Sequence, residues 1–171
     1  MKAWHGVAIL VEAFALLHRR HPYARLLIVG DGPERERLGA DVAARGLAEA
    51  VHFTGAVASD EVPARLASID AAVASYPRLE HFYFSPLKVY EYMAAGLPVV
   101  ASAIGQLEKL ITPGVNGLLV PPGDAAALAE ALERLCGDHE LRARLGLAAR
   151  AKVLAEHTWD AVAERILRIA G

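Results

Sequence analysis

The sequence predicts an α/β domain, a Rossmann-like parallel sheet with helices on both faces. Three observations carry this. Short apolar runs alternate with segments of helical periodicity along all 171 residues. The runs are apolar at successive positions, as in strands buried on both sides. Hydrophobic residues make up 54% and charged residues 22%, enough apolar side chains for a core between two helical layers.

The elements follow in order. Residues 6–20 place Val7, Leu10, Val11, Phe14 and Leu17 at helical spacing. Residues 25–29 read as a buried strand ended by Gly30-Asp31-Gly32-Pro33, and Pro33 suits the first position of a helix to about Arg45. Residues 51–53 form a second strand closed by Thr54-Gly55. Ser59 is placed to cap a short helix through Leu66. Residues 70–74 are a third strand, and 75–84 a loop with aromatics and charge. Ser85 caps and Pro86 opens a helix ended by Gly96. Residues 98–102 and 117–120 supply strands four and five. Asp124 caps a helix to about Cys136, and helices over 140–156 and 158–170 close the chain.

Composition excludes several classes. A net charge of -2 leaves no footprint for nucleic acid. The single Cys136 allows no internal disulfide and no cysteine-based zinc site, and suits a reducing, cytoplasmic setting. No apolar run approaches the ~20 residues of a transmembrane helix, and no signal-peptide pattern opens the chain. The histidines show no metal spacing. Ser75 and Ser102 lack the surroundings of a hydrolase nucleophile. Gly30-Asp31-Gly32 fails as a dinucleotide fingerprint: Arg35 stands where the third glycine belongs, and no carboxylate follows the next strand.

Parallel sheets bind ligands at the carboxyl ends of their strands, so the residues of interest are 30–34, 54–58, 75–88 and 102–108. Lys88 falls in the first turn of a helix, where a cation is unfavourable unless an anion is bound. Glu91 lies about one turn deeper on the same face. The helix start then holds a diphosphate while Glu91 accepts hydroxyl hydrogen bonds. Equally, Lys88 and Glu91 form a solvated pair worth ~0.3–0.5 kcal/mol. Lys2, Trp4, His5 and Gly6 ahead of the first helix again suit an anion, or are a frayed, charged terminus.

Taken together, these segments resemble the C-terminal, donor-binding domain of GT-B glycosyltransferases of family 4, the glycosyl transferases group 1 family. The resemblance rests on the order and spacing of Trp4-His5-Gly6, Gly30-Asp31-Gly32-Pro33, Phe53-Thr54-Gly55, Ser85-Pro86-Leu87-Lys88, Glu91, Pro98-Val99-Val100, Gly105 with Glu108, Asn116-Gly117, Gly123-Asp124 and Thr158-Trp159. It implies a retaining transferase that moves a sugar from a UDP- or GDP-linked donor to an acceptor, with no metal on the diphosphate. Ser85, Leu87 and Lys88 would bind the diphosphate. His5 stands where the family has a lysine, with Lys2 one turn away. Glu91 matches the second glutamate of the family's Glu-x7-Glu pattern and would hold the ribose. The first falls on Tyr83, with Glu80 near but out of register, at the donor-sugar position. Val57 lies where the base packs.

The family pairs this domain with an N-terminal one and opens it with a central strand not found here. The sheet is therefore expected to show a gap between strands one and three, filled by additional chain or a partner. Unpaired groups there cost ~1–3 kcal/mol each. Trp159, Val162, Ile166 and Ile169 are expected to be partly exposed on the last helix. The chain alone is expected to be inactive. The alternatives are a non-catalytic binding module working with a separate N-terminal half, or a nucleotide-sugar epimerase. The complete enzyme is allowed at the membrane periphery.

Overall fold

A computed structural model describes residues 1–80 and 85–170. It contains strands β1 (Leu26–Val29), β2 (Val51–Gly55), β3 (Ala72–Ala74), β4 (Val99–Ser102) and β5 (Leu118–Val120). The helices are α1 (Val7–Arg20), α2 (Arg35–Ala44), α3 (Val62–Ala67), α4 (Leu87–Ala94), α5 (Leu107–Leu110), α6 (Ala125–Gly137), α7 (His139–Glu156) and α8 (Trp159–Ala170). The predicted α/β class stands, with all named strand pairs parallel.

β4 is the hydrophobic hinge of the layering. Val99, Val100 and Ala101 are fully buried, and successive side chains point to opposite faces. Val100 joins α1, α2 and α6 in one cluster. Val99 and Ala101 join Val89 and Met93 of α4, Leu107 and Leu110 of α5, and Ala149 and Val153 of α7 in the other. That is why the strand had to be apolar at every position. α1 buries Val11, Phe14 and Leu17 and packs on α6.

The strands form two sheets rather than one. β1 pairs with β2, and the second sheet runs β3-β4-β5. Among the described residues no pairing joins β1 to β3, so the expected gap is present. Residues 1–6 cross it at the carboxyl ends of the strands. The Met1 amino group donates to the Asp31 carbonyl, and the Glu34 amide donates to the Met1 carbonyl at 3.3 Å. At the other end Gly6 (φ 68°) sits on β3's exit, where a Cβ would meet the Ser75 carbonyl oxygen at 2.4 Å. The start of the chain is thus a strap with a short 3-10 turn (Ala3–His5) rather than a frayed terminus.

Several local expectations need correction. α2 begins at Arg35 with Glu34 as N-cap, because Pro33 lies in the turn closed by the Arg35 amide on the Gly32 carbonyl at 3.0 Å. Ser59 does not cap a helix. It opens a 3-10 turn (Ser59–Glu61), with Glu61 Oε2 accepting from the Ala58 amide at 3.1 Å. α5 was not anticipated, being one short turn. Asp124 does cap α6, accepting from the Ala127 amide at 2.9 Å. On α8, Trp159 (88%), Ile166 (60%) and Ile169 (81%) are exposed and Val162 is half-buried, as expected.

Candidate functional site

The carboxyl ends of β3 and β4 carry a backbone clamp. Ser102 Oγ accepts from the Tyr76 amide at 2.8 Å and donates to the Tyr76 carbonyl at 3.1 Å. That carbonyl also accepts from the Gly123 amide at 3.0 Å. Ser75 Oγ donates to the Gly6 carbonyl at 3.0 Å. These bonds fix the Tyr76 ring, which is 3% exposed, and tie the start of α1 to the exit of β3. Burial raises the Tyr76 phenol above its ordinary range and pushes Tyr92 up to about 12, with Tyr76 and Glu91 adding to the rise.

Lys88 lies on this platform, its Nζ 4.8 Å from the centre of the Tyr76 ring. A cation over an aromatic face is attracted by the ring quadrupole, but only modestly. Burial lowers the ammonium to about 8. No ion pair or hydrogen bond of the Lys88 side chain occurs among the described residues, so the solvated Lys88–Glu91 pair is not formed. A largely desolvated cation without a counter-charge is costly, and its position at a helix start makes an anion the natural complement.

His5 ends the 3-10 turn of the strap, one residue before Gly6, which packs against Ser75 and Tyr76. Its pKa is lowered by burial first, then by Lys88, the amino terminus and Lys2. Its Nδ1 accepts from the Lys2 amide at 3.3 Å, which leaves Nε2 to carry the proton of the neutral ring. The two helices that begin here, α1 behind Gly6 and α4 behind Pro86, have no side-chain cap and no acidic residue in the first turn. Both helix starts therefore lie against Tyr76, with Lys88 over its ring and His5 one residue before Gly6, where an anion such as a phosphate pair can be held.

The other sequence candidates are placed as follows. Ser85 is exposed and does not cap α4; Pro86 takes the N-cap place rather than the first helical one, because its ψ of 57° is not helical. Leu87 is 68% exposed, and its amide is turned onto the Ser85 carbonyl at 2.9 Å. Lys2 is exposed at the strap's edge, and Glu91 is exposed on α4. Val57 is half-buried just past β2, and Glu80 is exposed. Tyr83 lies outside the described residues. The sequence reading missed Tyr76, Ser75 and Ser102 as the floor of the site. A tyrosine and two serines directly after apolar strands were the available signal. A separate surface cavity lined by Glu12, Arg78, Pro121 and Asp124 includes neither Lys88 nor His5.

Comparison with known proteins gives a consistent picture. Residues 1–138 match the family described as glycosyl transferases group 1. The chain is 33% identical to alpha-D-kanosaminyltransferase of Streptomyces kanamyceticus and 37% identical to phosphatidyl-myo-inositol mannosyltransferase of Mycobacterium leprae, over 96% of its own length in each case. It spans only 42% of the length of each of these relatives. Among solved structures it resembles Anabaena Alr3699/HepE in complex with UDP and glucose, with a TM-score of 0.84 and 28% identity over 99% of this chain and 46% of that one.

Proposed function

Because this chain belongs to the glycosyl transferases group 1 family, with the fold of its GT-B members, we propose that it binds the nucleoside diphosphate sugar donor of a retaining glycosyltransferase. The observation that carries this reading is Lys88, half-buried over Tyr76 at an uncapped helix start, with no counter-charge among the described residues. Lys88, His5 and the starts of α1 and α4 take the diphosphate, with Lys2 adding positive field from the rim. Their charge makes a metal ion unnecessary for holding the donor. Glu91, farther along α4, accepts from the ribose hydroxyls. Val57 packs on the base, and the donor sugar lies toward Glu80 and Tyr83. The UDP complex of the Anabaena protein supports this assignment of ligand class.

Leaving-group stabilisation is what these residues offer chemically. As the sugar–phosphate bond breaks, charge grows on the departing diphosphate. Preorganised cations and helix amides placed there lower the barrier without reorganising. The acceptor and the rest of the cleft come from polypeptide beyond this chain, given the 42% coverage of its relatives. Additional chain or a partner is also favoured by the open edges of β1 and β3 and the exposed apolar face of α8. A strand in the gap would satisfy those edges, at ~1–3 kcal/mol per buried group.

The test is a thermal-shift titration with UDP-glucose and GDP-mannose. One of them raises the melting temperature, and Glu91→Ala removes most of the rise while leaving the ligand-free transition unchanged. An unmoved transition with both donors sinks the reading.

A further inference from the structure

The carboxyl edge of the strands carries a second cation laid over an aromatic ring, on the far side of the gap from Lys88. The Arg35 guanidinium stands 5.0 Å from the centre of the Phe53 ring, joining the first turn of α2 to β2. Its Nη1 comes within 3.8 Å of the place a Cβ would take on Gly55, whose φ of 73° favours glycine, so no side chain from that position covers the guanidinium. The neighbouring carboxylates are engaged elsewhere or exposed. Glu34 Oε2 accepts from Arg37 Nε at 2.9 Å, Asp31 Oδ1 accepts from the Gly32 amide at 2.7 Å, and Glu36 is exposed. Arg35 is half-buried, and among the described residues its side chain makes no hydrogen bond or ion pair.

We infer that Arg35 is the platform on which the nucleobase of the donor stacks, the guanidinium forming the middle layer between Phe53 and the base. This deepens the diphosphate reading given above and rests on it. A guanidinium is planar and weakly hydrated, so it can give one face to Phe53 and the other to a second π-system. Its place also suits the length of the ligand. β1 lies between β2 and the gap. A gap of one strand sets the Phe53 and Tyr76 platforms three strand spacings apart, roughly 14 Å. An extended nucleoside diphosphate spans such a distance, with its phosphates at Lys88 and its base at Arg35. Val57, placed on the base above, follows Gly55 by two residues and is half-buried. Stacking serves purine and pyrimidine alike, so Arg35 sets the preference for a nucleotide over a bare diphosphate and does not choose between bases.

The experiment is isothermal titration of the chain with UDP and GDP, comparing wild type with Arg35→Ala, Arg35→Lys and Arg35→Gln. It is run at about 0.15 M salt, where a Debye length of ~8 Å screens the diphosphate from a charge three strand spacings away. For whichever nucleotide binds, Arg35→Ala lowers the affinity at least about fivefold, the lower end of a lost stack. Arg35→Lys keeps the charge but not the plane, and lowers the affinity as far as Arg35→Ala does. Arg35→Gln keeps a planar group without the charge and retains part of the affinity. A residue acting through charge alone gives the opposite order of Lys and Gln, and that order can be read even where Arg35→Ala fails to fold. In the wild-type complex, nuclear Overhauser contacts are expected between the base ring protons and the Arg35 methylenes; a residue that only braces α2 on β2 gives none. Unchanged affinity in Arg35→Ala, wild-type affinity in Arg35→Lys, or absence of those Overhauser contacts overturns the inference and leaves the diphosphate reading standing. Failure of the wild type to bind either nucleotide removes both.

Discussion

Helices α6 and α4 both begin at the carboxyl edge of the sheet, and they treat their exposed amides in opposite ways. At α6, Asp124 Oδ1 accepts from the Ala127 amide at 2.9 Å, so a fixed negative group meets the positive end of the dipole. α7 repeats the device with Asp138, which accepts from the Leu141 amide at 2.8 Å. At α4 the N-cap is Pro86, with no side-chain cap, no acidic residue in the first turn and a half-buried Lys88 instead. α1, starting at Gly6, is likewise uncapped. The capped starts are complete in themselves. On the reading proposed above, the uncapped pair is completed by an anion, and the difference separates helix ends built for stability from helix ends that take a ligand.

The sharpest break of this comparison is Lys88→Met. It removes a charge-assisted contact to the diphosphate and should weaken donor binding roughly ten- to hundredfold by titration calorimetry. The same change should stabilise the ligand-free protein. Lys88 binds a proton less readily folded, at about 8, than unfolded, at 10.5, so its burial opposes folding below about pH 8 and the penalty fades as pH rises between these values. The gain at neutral pH is at most roughly 3 kcal/mol, read as a higher urea midpoint. A variant that is both less stable and fully able to bind would mean that Lys88 serves the fold.

Asp124→Ala probes the other member of the pair. Loss of the cap should cost about 1 kcal/mol of stability, measured in urea, with donor affinity unchanged because α6 lies outside the proposed site. The smallest effect is expected from Ser85→Asp. A carboxylate at the uncapped start of α4 mimics the cap of α6 and competes with the diphosphate. Affinity should fall a few-fold, matching the ~0.3–1 kcal/mol of a charge at a helix end, while the ligand-free melting temperature stays level or rises.

Much of the molecule was legible without coordinates because its signals are local. The five strands were visible as apolar runs, and the cap at Asp124 as a single residue before a periodic segment. The exposed apolar face of α8 and the interrupted sheet followed from the family resemblance. The local errors arose where a turn absorbed a proline. Pro33 and Pro86 both stand just outside helices they were expected to open, since each lies in a turn closed by neighbouring backbone bonds.

By itself, then, the sequence determined the parallel α/β class, the order of the elements, and the pairing of a lysine with a helix start. Periodicity and capping depend on residues only a few places apart, so they can be read along the chain. The tertiary structure alone decided that Lys88 is half-buried over Tyr76 and that residues 1–6 cross the open sheet to set Gly6 against Ser75 and Tyr76. Desolvation and the field at a charge are set by whatever packs around it, and here those neighbours come from segments far apart in the chain.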